Sequence, residues 1–134
     1  MRPYLNWLAT FLWMGVIFFL SSRPADELPF FGLYDLLVKK SGHLVGYAIL
    51  GWLFSHSWES LKIDLKWAQA LALLFSLLYA ITDELHQSFV PGRHASVIDV
   101  LIDTIGIAVG VSAFGLLRHK WQGMSDGPFP SQRS

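Results

Sequence analysis

Acidic, basic and amide side chains lie close together at residues 83–103, between two apolar stretches of the chain. This segment begins with Asp83 and Glu84, continues through Arg93, and ends with Asp99 and Asp103. An acid near the centre of a membrane-spanning helix costs about 2.5–3.5 kcal/mol, and less near the interface. Such groups must therefore be paired with other side chains, hydrated inside the fold, or used in binding or catalysis.

A second polar set comes earlier in the chain. Lys40, His43 and Tyr47 follow the spacing i, i+3, i+7, so they share one face of a helix. Asp83 and Gln87 are four residues apart and also share a helix face. We predict that the two sets meet in one ligand-binding site. Its candidate residues are Lys40, His43, Tyr47, Asp83, Glu84, Gln87, Arg93, Ser96, Asp99 and Asp103.

The acids in this set outnumber its lysine and arginine. The excess negative charge can be relieved by a protonated acid, by a charged histidine or by a bound cation. Asp, Glu and His together would suit a divalent metal, but the chain contains no compact motif such as His-Glu-x-x-His. We therefore expect no metal ligands among these residues, and a divalent cation is the less favoured alternative.

Structural roles compete for some of these residues. Ser96 fits a helix N-cap, and Asp99 stands three residues later, at the acidic position of a capping box, which explains Asp99 as well as a site role does. Asp103 lies one turn deeper and is not explained in this way. Asp99, Asp103, Gly106 and Gly110 form one stripe, whose glycines we expect to let another helix approach closely. We expect the same of the glycines at 42, 46 and 51.

The composition indicates a membrane protein. Of the 134 residues, 53% are hydrophobic and only 15% are charged, whereas soluble domains carry about a quarter charged residues. The net charge is zero, so there is no basic surface of the kind that binds nucleic acid. The chain has no cysteine, which excludes disulfides, thiolate metal sites and cysteine nucleophiles.

Four apolar segments predict an all-α, integral membrane four-helix bundle. They are Tyr4–Leu20, Leu44–Trp58, Trp67–Thr82 and Val97–Leu117. A spanning helix needs about 20 residues, so we extend the second back to Leu36 and the third on to His86. Residues 1–118 are then the transmembrane domain. Residues 119–134, rich in Gly, Ser and Pro, are predicted to be a disordered cytoplasmic tail.

Lysine and arginine counts predict the orientation of the bundle. Four helices place both termini and the turn at 59–66 on one side of the membrane, with six Lys and Arg residues against four on the other side. The positive-inside rule then places the termini in the cytoplasm. The polar set would face outward, toward the cell wall or periplasm.

The polar positions resemble those of the VanZ-like membrane proteins. The matching motifs are Lys40-x-x-His43-x-x-x-Tyr47-x-x-Leu50, then Asp83-Glu84-x-x-Gln87-x-Phe89-x-Pro91-Gly92-Arg93-x-x-Ser96-x-x-Asp99, then Gly106 and Gly110. Ser21-Ser22 after the first helix also resembles the usual opening of that family. The resemblance covers about residues 15–115. It departs at Asp103, where the family commonly has Asn, and at Lys39, where it often has an acid.

The resemblance implies a bacterial cytoplasmic (inner) membrane protein with several spans. The founding member of the family is associated with low-level resistance to teicoplanin, a lipoglycopeptide, without a change in the peptidoglycan precursor. Most relatives have no assigned role. A contribution to teicoplanin resistance is therefore an expectation for this chain that rests on the resemblance alone.

Three functions fit the polar set. The first is binding of an amphiphilic cell-envelope ligand, such as a lipid-linked wall precursor or a lipoglycopeptide, with Lys40 and Arg93 on its anionic head group. The second is an enzyme, a hydrolase or transferase of an envelope lipid, with catalytic candidates Asp83, Glu84, His43 and His86. The third is a buried polar network that fixes the helix register. The sequence does not predict the oligomeric state.

Overall fold

The fold is an antiparallel bundle of four helices. The computed structural model describes residues 2–125, and within that range there is no β-strand, so the prediction of an all-α bundle is confirmed. The helices are α1 (Pro3–Ser21), α2 (Asp35–Glu59), α3 (Leu65–Gln87) and α4 (Val97–Ser125).

Local sequence signals set the helix ends. Pro3 occupies the first helical position of α1, where its missing N–H costs nothing. The Asp64 side chain caps α3 by accepting a hydrogen bond from the Lys66 amide at 2.9 Å. Two single-turn 3₁₀ helices, Ala25–Glu27 and Gly32–Tyr34, occupy the connection between α1 and α2.

Helices α2 and α4 run parallel, side by side. Lys40 contacts Asp99 near the start of both helices, and Glu59 pairs with Arg118 near their far ends. Helices α1 and α3 run in the opposite direction. We call the end at which α2 and α4 begin the polar end of the bundle. The start of α1, the described end of α4 and the turn at 59–66 lie toward the other end.

Three helices, α1, α3 and α4, are long and apolar enough to cross a membrane, which is consistent with an integral membrane protein. Helix α2 falls short in apolar content, although its 25 residues are sufficient in length. It packs against all three other helices, and several of its polar side chains, among them Ser55 and Ser57, are buried. Helix α2 lies beside α4 from Lys40 to Glu59.

Glycines allow α2 and α4 to pack backbone against backbone. A Cβ atom on Gly51 would lie 2.8 Å from the Ile107 carbonyl oxygen, and on Gly106 or Gly110 it would collide with the carbonyl of Leu44 or of Ala48. The packing role predicted for these glycines is confirmed. The same prediction for the glycines at 42 and 46 is wrong, because no atom lies within 4 Å of where their Cβ would be. Both face the groove described below rather than a neighbouring helix.

Helix α4 is longer than predicted. It is described as far as Ser125, so residues 119–125 are helical, and the predicted disordered tail is wrong for that part. The segment from His119 to Gln122 contains no Gly or Pro, and a helix already formed extends readily through such residues. The rest of the predicted tail, residues 126–134, lies outside the described residues.

Candidate functional site

Two ion pairs join α2 to α4 at the polar end. Lys40 Nζ donates to Asp99 Oδ1 at 2.5 Å, and one turn deeper His43 Nδ1 lies 3.1 Å from Asp103 Oδ1. The first pair is partly exposed, with about a quarter of the Asp99 side chain accessible, whereas Asp103 is fully buried. The spacing of three residues on α2 and four on α4 keeps the partners in step because both helices run in the same direction.

A chain of hydrogen bonds runs from α2 through α3 into the following loop. The Tyr47 hydroxyl donates to Asp83 Oδ2 at 2.9 Å, and Gln87 Nε2 also reaches Asp83 Oδ2, at 3.3 Å. Arg93 then donates to Gln87 Oε1 at 2.7 Å. Tyr47, Asp83 and Gln87 are buried, and Arg93 is half-buried. Within residues 2–125 the Arg93 guanidinium has no acid at ion-pair distance, so its charge is available to a ligand.

The start of α4 is held by a residue of α3. Ser96 lies at the N-cap position, and its carbonyl accepts the Asp99 and Val100 amides at 3.1 and 3.2 Å. Its own N–H donates to Glu84 Oε2 at 3.0 Å, where a capping box would use Asp99. The capping-box interpretation of Asp99 is therefore wrong, because the Asp99 carboxylate points to Lys40 instead. Glu84 is thereby fixed against α4.

One catalytic candidate lies apart from the others. His86 Nε2 is within hydrogen-bond distance of Ser22 Oγ, at 3.0 Å, and its ring stacks on Phe18 with centroids 4.7 Å apart. Both partners belong to the α1 segment, so the imidazole is directed away from the acids between α2 and α4. Asp83, Glu84 and His43 are brought together, and His86 is not.

Buried carboxylate oxygens without a partner lie at the centre of the site. Asp83 Oδ1, Glu84 Oε1 and Asp103 Oδ2 have no hydrogen-bond partner within the described part of the chain, although their residues are at most 4% exposed. One ligand atom each from His43, Glu84 and Asp103 lies within 4.8 Å of the others. Burying a charged oxygen without a donor costs several kcal/mol, so each of these oxygens can accept a hydrogen bond from a bound molecule or bind a cation.

A groove of about 680 Å³ opens between α1 and α2 beside this cluster, a volume within the usual range for small-molecule sites. Lys40, Arg93, Ser96 and Asp99 line its polar end, and His43, Tyr47, Asp83 and Gln87 line its inner wall. Its other walls are apolar and include Val16, Leu20, Val45 and Ile49. These apolar residues are exposed on the helical surface, so in a bilayer the groove would adjoin the lipid. Two of the ten predicted ligand-binding residues, Glu84 and Asp103, lie behind this wall rather than on it.

Two loops close over the polar end of the groove. The Ala25 amide donates to the Pro91 carbonyl at 3.3 Å, which ties the loop after α1 to the loop before α4. Gly92 has φ +73°, and a Cβ there would lie 3.0 Å from the Ala25 Cβ. A glycine is required here because L side chains rarely adopt that conformation. The turn thus places Arg93 at the groove.

Sequence reasoning missed the contribution of α1. Trp13 Nε1 donates to the Gly46 carbonyl at 2.9 Å and forms part of the groove wall. Ser21 Oγ accepts a hydrogen bond from Gln87 Nε2 at 3.2 Å. In the sequence, α1 is a nearly uniform apolar run whose groove-facing residues resemble its lipid-facing ones. The Ser21-Ser22 pair was the single signal in the sequence that α1 contributes to the site.

Comparison with known proteins identifies the family of the chain. A family model described as VanZ/LLP1 matches residues 6–118. The chain belongs to the VanZ/LLP1 family. The match covers α2 and α3 in full, most of α1 and α4, and every candidate site residue. No curated protein and no solved structure matches the chain.

Proposed function

We propose that this VanZ/LLP1 protein binds an amphiphilic molecule of the bacterial cell envelope in the groove between α1 and α2. The anionic head group would lie at Arg93 and Lys40, and the apolar part would lie along Val16, Leu20, Val45 and Ile49. A lipid-linked wall precursor and a lipoglycopeptide both have this chemistry. The observation that carries the proposal is the Arg93 guanidinium, which has no acidic partner within residues 2–125 and lies at the polar end of a groove with apolar outer walls.

The polar contacts around Arg93 support an anion-binding role. Gln87 holds one guanidinium nitrogen, and the remaining N–H groups can fork onto a phosphate or carboxylate. Lys40 is already paired with Asp99, so a ligand anion there would share the ammonium or displace Asp99. Arg93 is therefore the primary contact in this proposal, and Lys40 is the secondary one.

The lipid side of the groove supports an amphiphilic ligand rather than a soluble one. Its apolar walls belong to α1 and α2, and the outward side chains of those helices would contact acyl chains. A bilayer component could therefore enter sideways while its head group stays at the polar end. In the proposed orientation both termini lie in the cytoplasm and the polar end faces outward. The ligand would then come from the outer leaflet of the cytoplasmic membrane.

A second candidate function is hydrolysis or transfer at an envelope lipid. The observation that favours it is Asp83, which lines the inner wall of the groove and whose Oδ1 has no hydrogen-bond partner within residues 2–125. A carboxylate in that position can act as a general base toward a molecule bound beside it. Turnover of an envelope lipid that is abolished by Asp83→Asn would favour this enzyme over a binding protein.

The binding proposal is tested by titrating purified protein in detergent with a polyprenyl phosphate and, separately, with teicoplanin. Hydrogen bonds to charged groups contribute about 1.5–3 kcal/mol, so Arg93→Ala should weaken binding roughly 10–150-fold. Arg23→Ala is the matched control, because Arg23 lies at the same end but pairs with Glu27 at 3.0 Å. Equal affinities for wild type and Arg93→Ala would refute the proposal.

The cellular role is tested by drug susceptibility. A sensitive Gram-positive host would express wild type, Arg93→Ala or Arg23→Ala at matched membrane levels. We expect protection against teicoplanin from wild type and Arg23→Ala, and none from Arg93→Ala. If well-expressed wild type gave no protection, the protein would have no role in teicoplanin resistance. The binding proposal would still be tested by the titration in detergent.

A further inference from the structure

The buried cluster of His43, Glu84 and Asp103 joins three different helices. None of the three is adjacent in sequence to another, but one ligand atom from each lies within 4.8 Å of the other two. Glu84 is 3% exposed and Asp103 is fully buried. We propose that these three side chains bind a divalent transition-metal ion of the Zn²⁺ or Mn²⁺ type.

The two carboxylates are oriented as metal ligands would be. In each, one oxygen is held by the protein: Glu84 Oε2 accepts the Ser96 amide at 3.0 Å, and Asp103 Oδ1 lies 3.1 Å from His43 Nδ1. The other oxygens, Glu84 Oε1 and Asp103 Oδ2, are buried and have no hydrogen-bond partner among residues 2–125. A bound cation would satisfy both oxygens at once.

The local charge balance also calls for a cation. Within residues 2–125, neither Glu84 nor Asp103 has a Lys or Arg at ion-pair distance, since Lys40 is paired with Asp99. Asp83 adds a third carboxylate, and its hydrogen-bond donors, Tyr47 and Gln87, are both neutral. A divalent ion on neutral His43 would offset two of these three charges. A single shared proton would offset one.

The ligand types select the class of ion. One imidazole nitrogen with carboxylate oxygens suits Zn²⁺ and Mn²⁺, whereas Ca²⁺ and Mg²⁺ prefer oxygen alone. Zn²⁺ binds nitrogen and oxygen ligands at about 2.0–2.2 Å, so a bound ion would draw the three side chains closer than the 4.8 Å within which their ligand atoms now lie. His43 and Asp83 line the groove, so the ion can enter from it and keep a coordination position open toward it.

The metal site does not depend on the proposed function. An amphiphile could bind at Arg93 whether or not an ion lies behind the groove wall. Conversely, the ion would bind without any amphiphile. The two proposals therefore fail separately, and the same purified protein tests both.

The test is metal binding by full-length protein in detergent, stripped with a chelator and then titrated with Zn²⁺, Mn²⁺ or Co²⁺. We expect one ion per chain, release of protons on binding, and visible absorption from bound Co²⁺. Loss of an outer-sphere partner usually costs about 10–100-fold in metal affinity. Asp103→Asn and His43→Gln, which remove direct ligands, should each cost at least about tenfold.

Asp35→Asn is the matched control, because Asp35 lies at the same end of the bundle but pairs with Lys39 at 2.8 Å. It should bind metal as wild type does. Folded wild type that binds no ion, or binding that Asp103→Asn and His43→Gln leave unchanged, would overturn the proposal. Circular dichroism decides whether each variant is folded, and Arg93→Ala should keep the ion even where it loses the amphiphile. If Asp103→Asn does not fold, His43→Gln carries the test.

Discussion

The close approach of α2 and α4 gives a graded mutational series. Gly51→Ala would place a methyl 2.8 Å from the Ile107 carbonyl oxygen and 3.3 Å from a Val111 methyl, so the helices must part by a few tenths of an ångström. Gly106→Ala and Gly110→Ala would press a methyl directly into the carbonyls of Leu44 and Ala48. Their relief requires a larger separation of the two backbones.

The expected loss follows from overpacking and from helix propensity. Overpacking a well-packed interface costs about 1–3 kcal/mol, and alanine regains up to about 1 kcal/mol over glycine in a helix. Gly51→Ala should therefore lower the free energy of unfolding by about 0–2 kcal/mol. Gly106→Ala and Gly110→Ala should lower it by at least about 2 kcal/mol, because carbonyls of a packed helix cannot move independently.

The measurement is denaturant unfolding in one detergent, with Gly46→Ala as control. Gly46 is also on α2, but no atom lies within 4 Å of its Cβ position, so alanine there should be neutral or stabilising. Parting α2 from α4 at Gly106 should also separate His43 from Asp103 and weaken metal binding. If Gly106→Ala and Gly110→Ala were as stable as Gly46→Ala, the parallel α2–α4 contact would be refuted.

Two further predictions concern the buried network and the orientation. Tyr47→Phe removes the 2.9 Å hydrogen bond to the buried Asp83 carboxylate and should cost about 1–3 kcal/mol of unfolding free energy. Tyr79→Phe, which loses a bond to a neutral carbonyl, should cost about 1 kcal/mol, and a Tyr47→Phe cost no larger than this would contradict the prediction. Because the chain lacks cysteine, single cysteines report the orientation. An impermeant maleimide should label Ala95→Cys in intact cells and Leu61→Cys only after permeabilisation. The reverse pattern would show that the orientation is opposite to the one predicted.

The capping of α4 illustrates where local sequence reasoning stops. Ser96 and Asp99 have the spacing of a capping box, and nothing in the sequence distinguishes that role from a tertiary one. In the structure, the Ser96 amide donates to Glu84 of α3, and the Asp99 carboxylate pairs with Lys40 instead. A local hydrogen bond and a long-range one compete for the same donor, and the packing of α3 decides between them.

The sequence by itself determined the helices, their membrane character and the family. Apolar runs of spanning length permit little else, since lipid offers no partner for backbone amides and every such group must bond within its own helix. The spacing of Lys40 and His43, and of Asp99 and Asp103, also determined which polar side chains share a helix face, because that depends only on the pitch of the helix.

Only the tertiary structure decided which faces meet. The parallel contact of α2 with α4 arises from backbone proximity at three glycines, and it alone brings His43 to Asp103. The groove depends on the position of α1, whose inner and outer side chains are equally apolar. Because lipid and protein interior are similarly apolar, hydrophobicity cannot tell a packed face from a lipid-facing one, and the rotation of each helix is set by shape and by the few polar pairs.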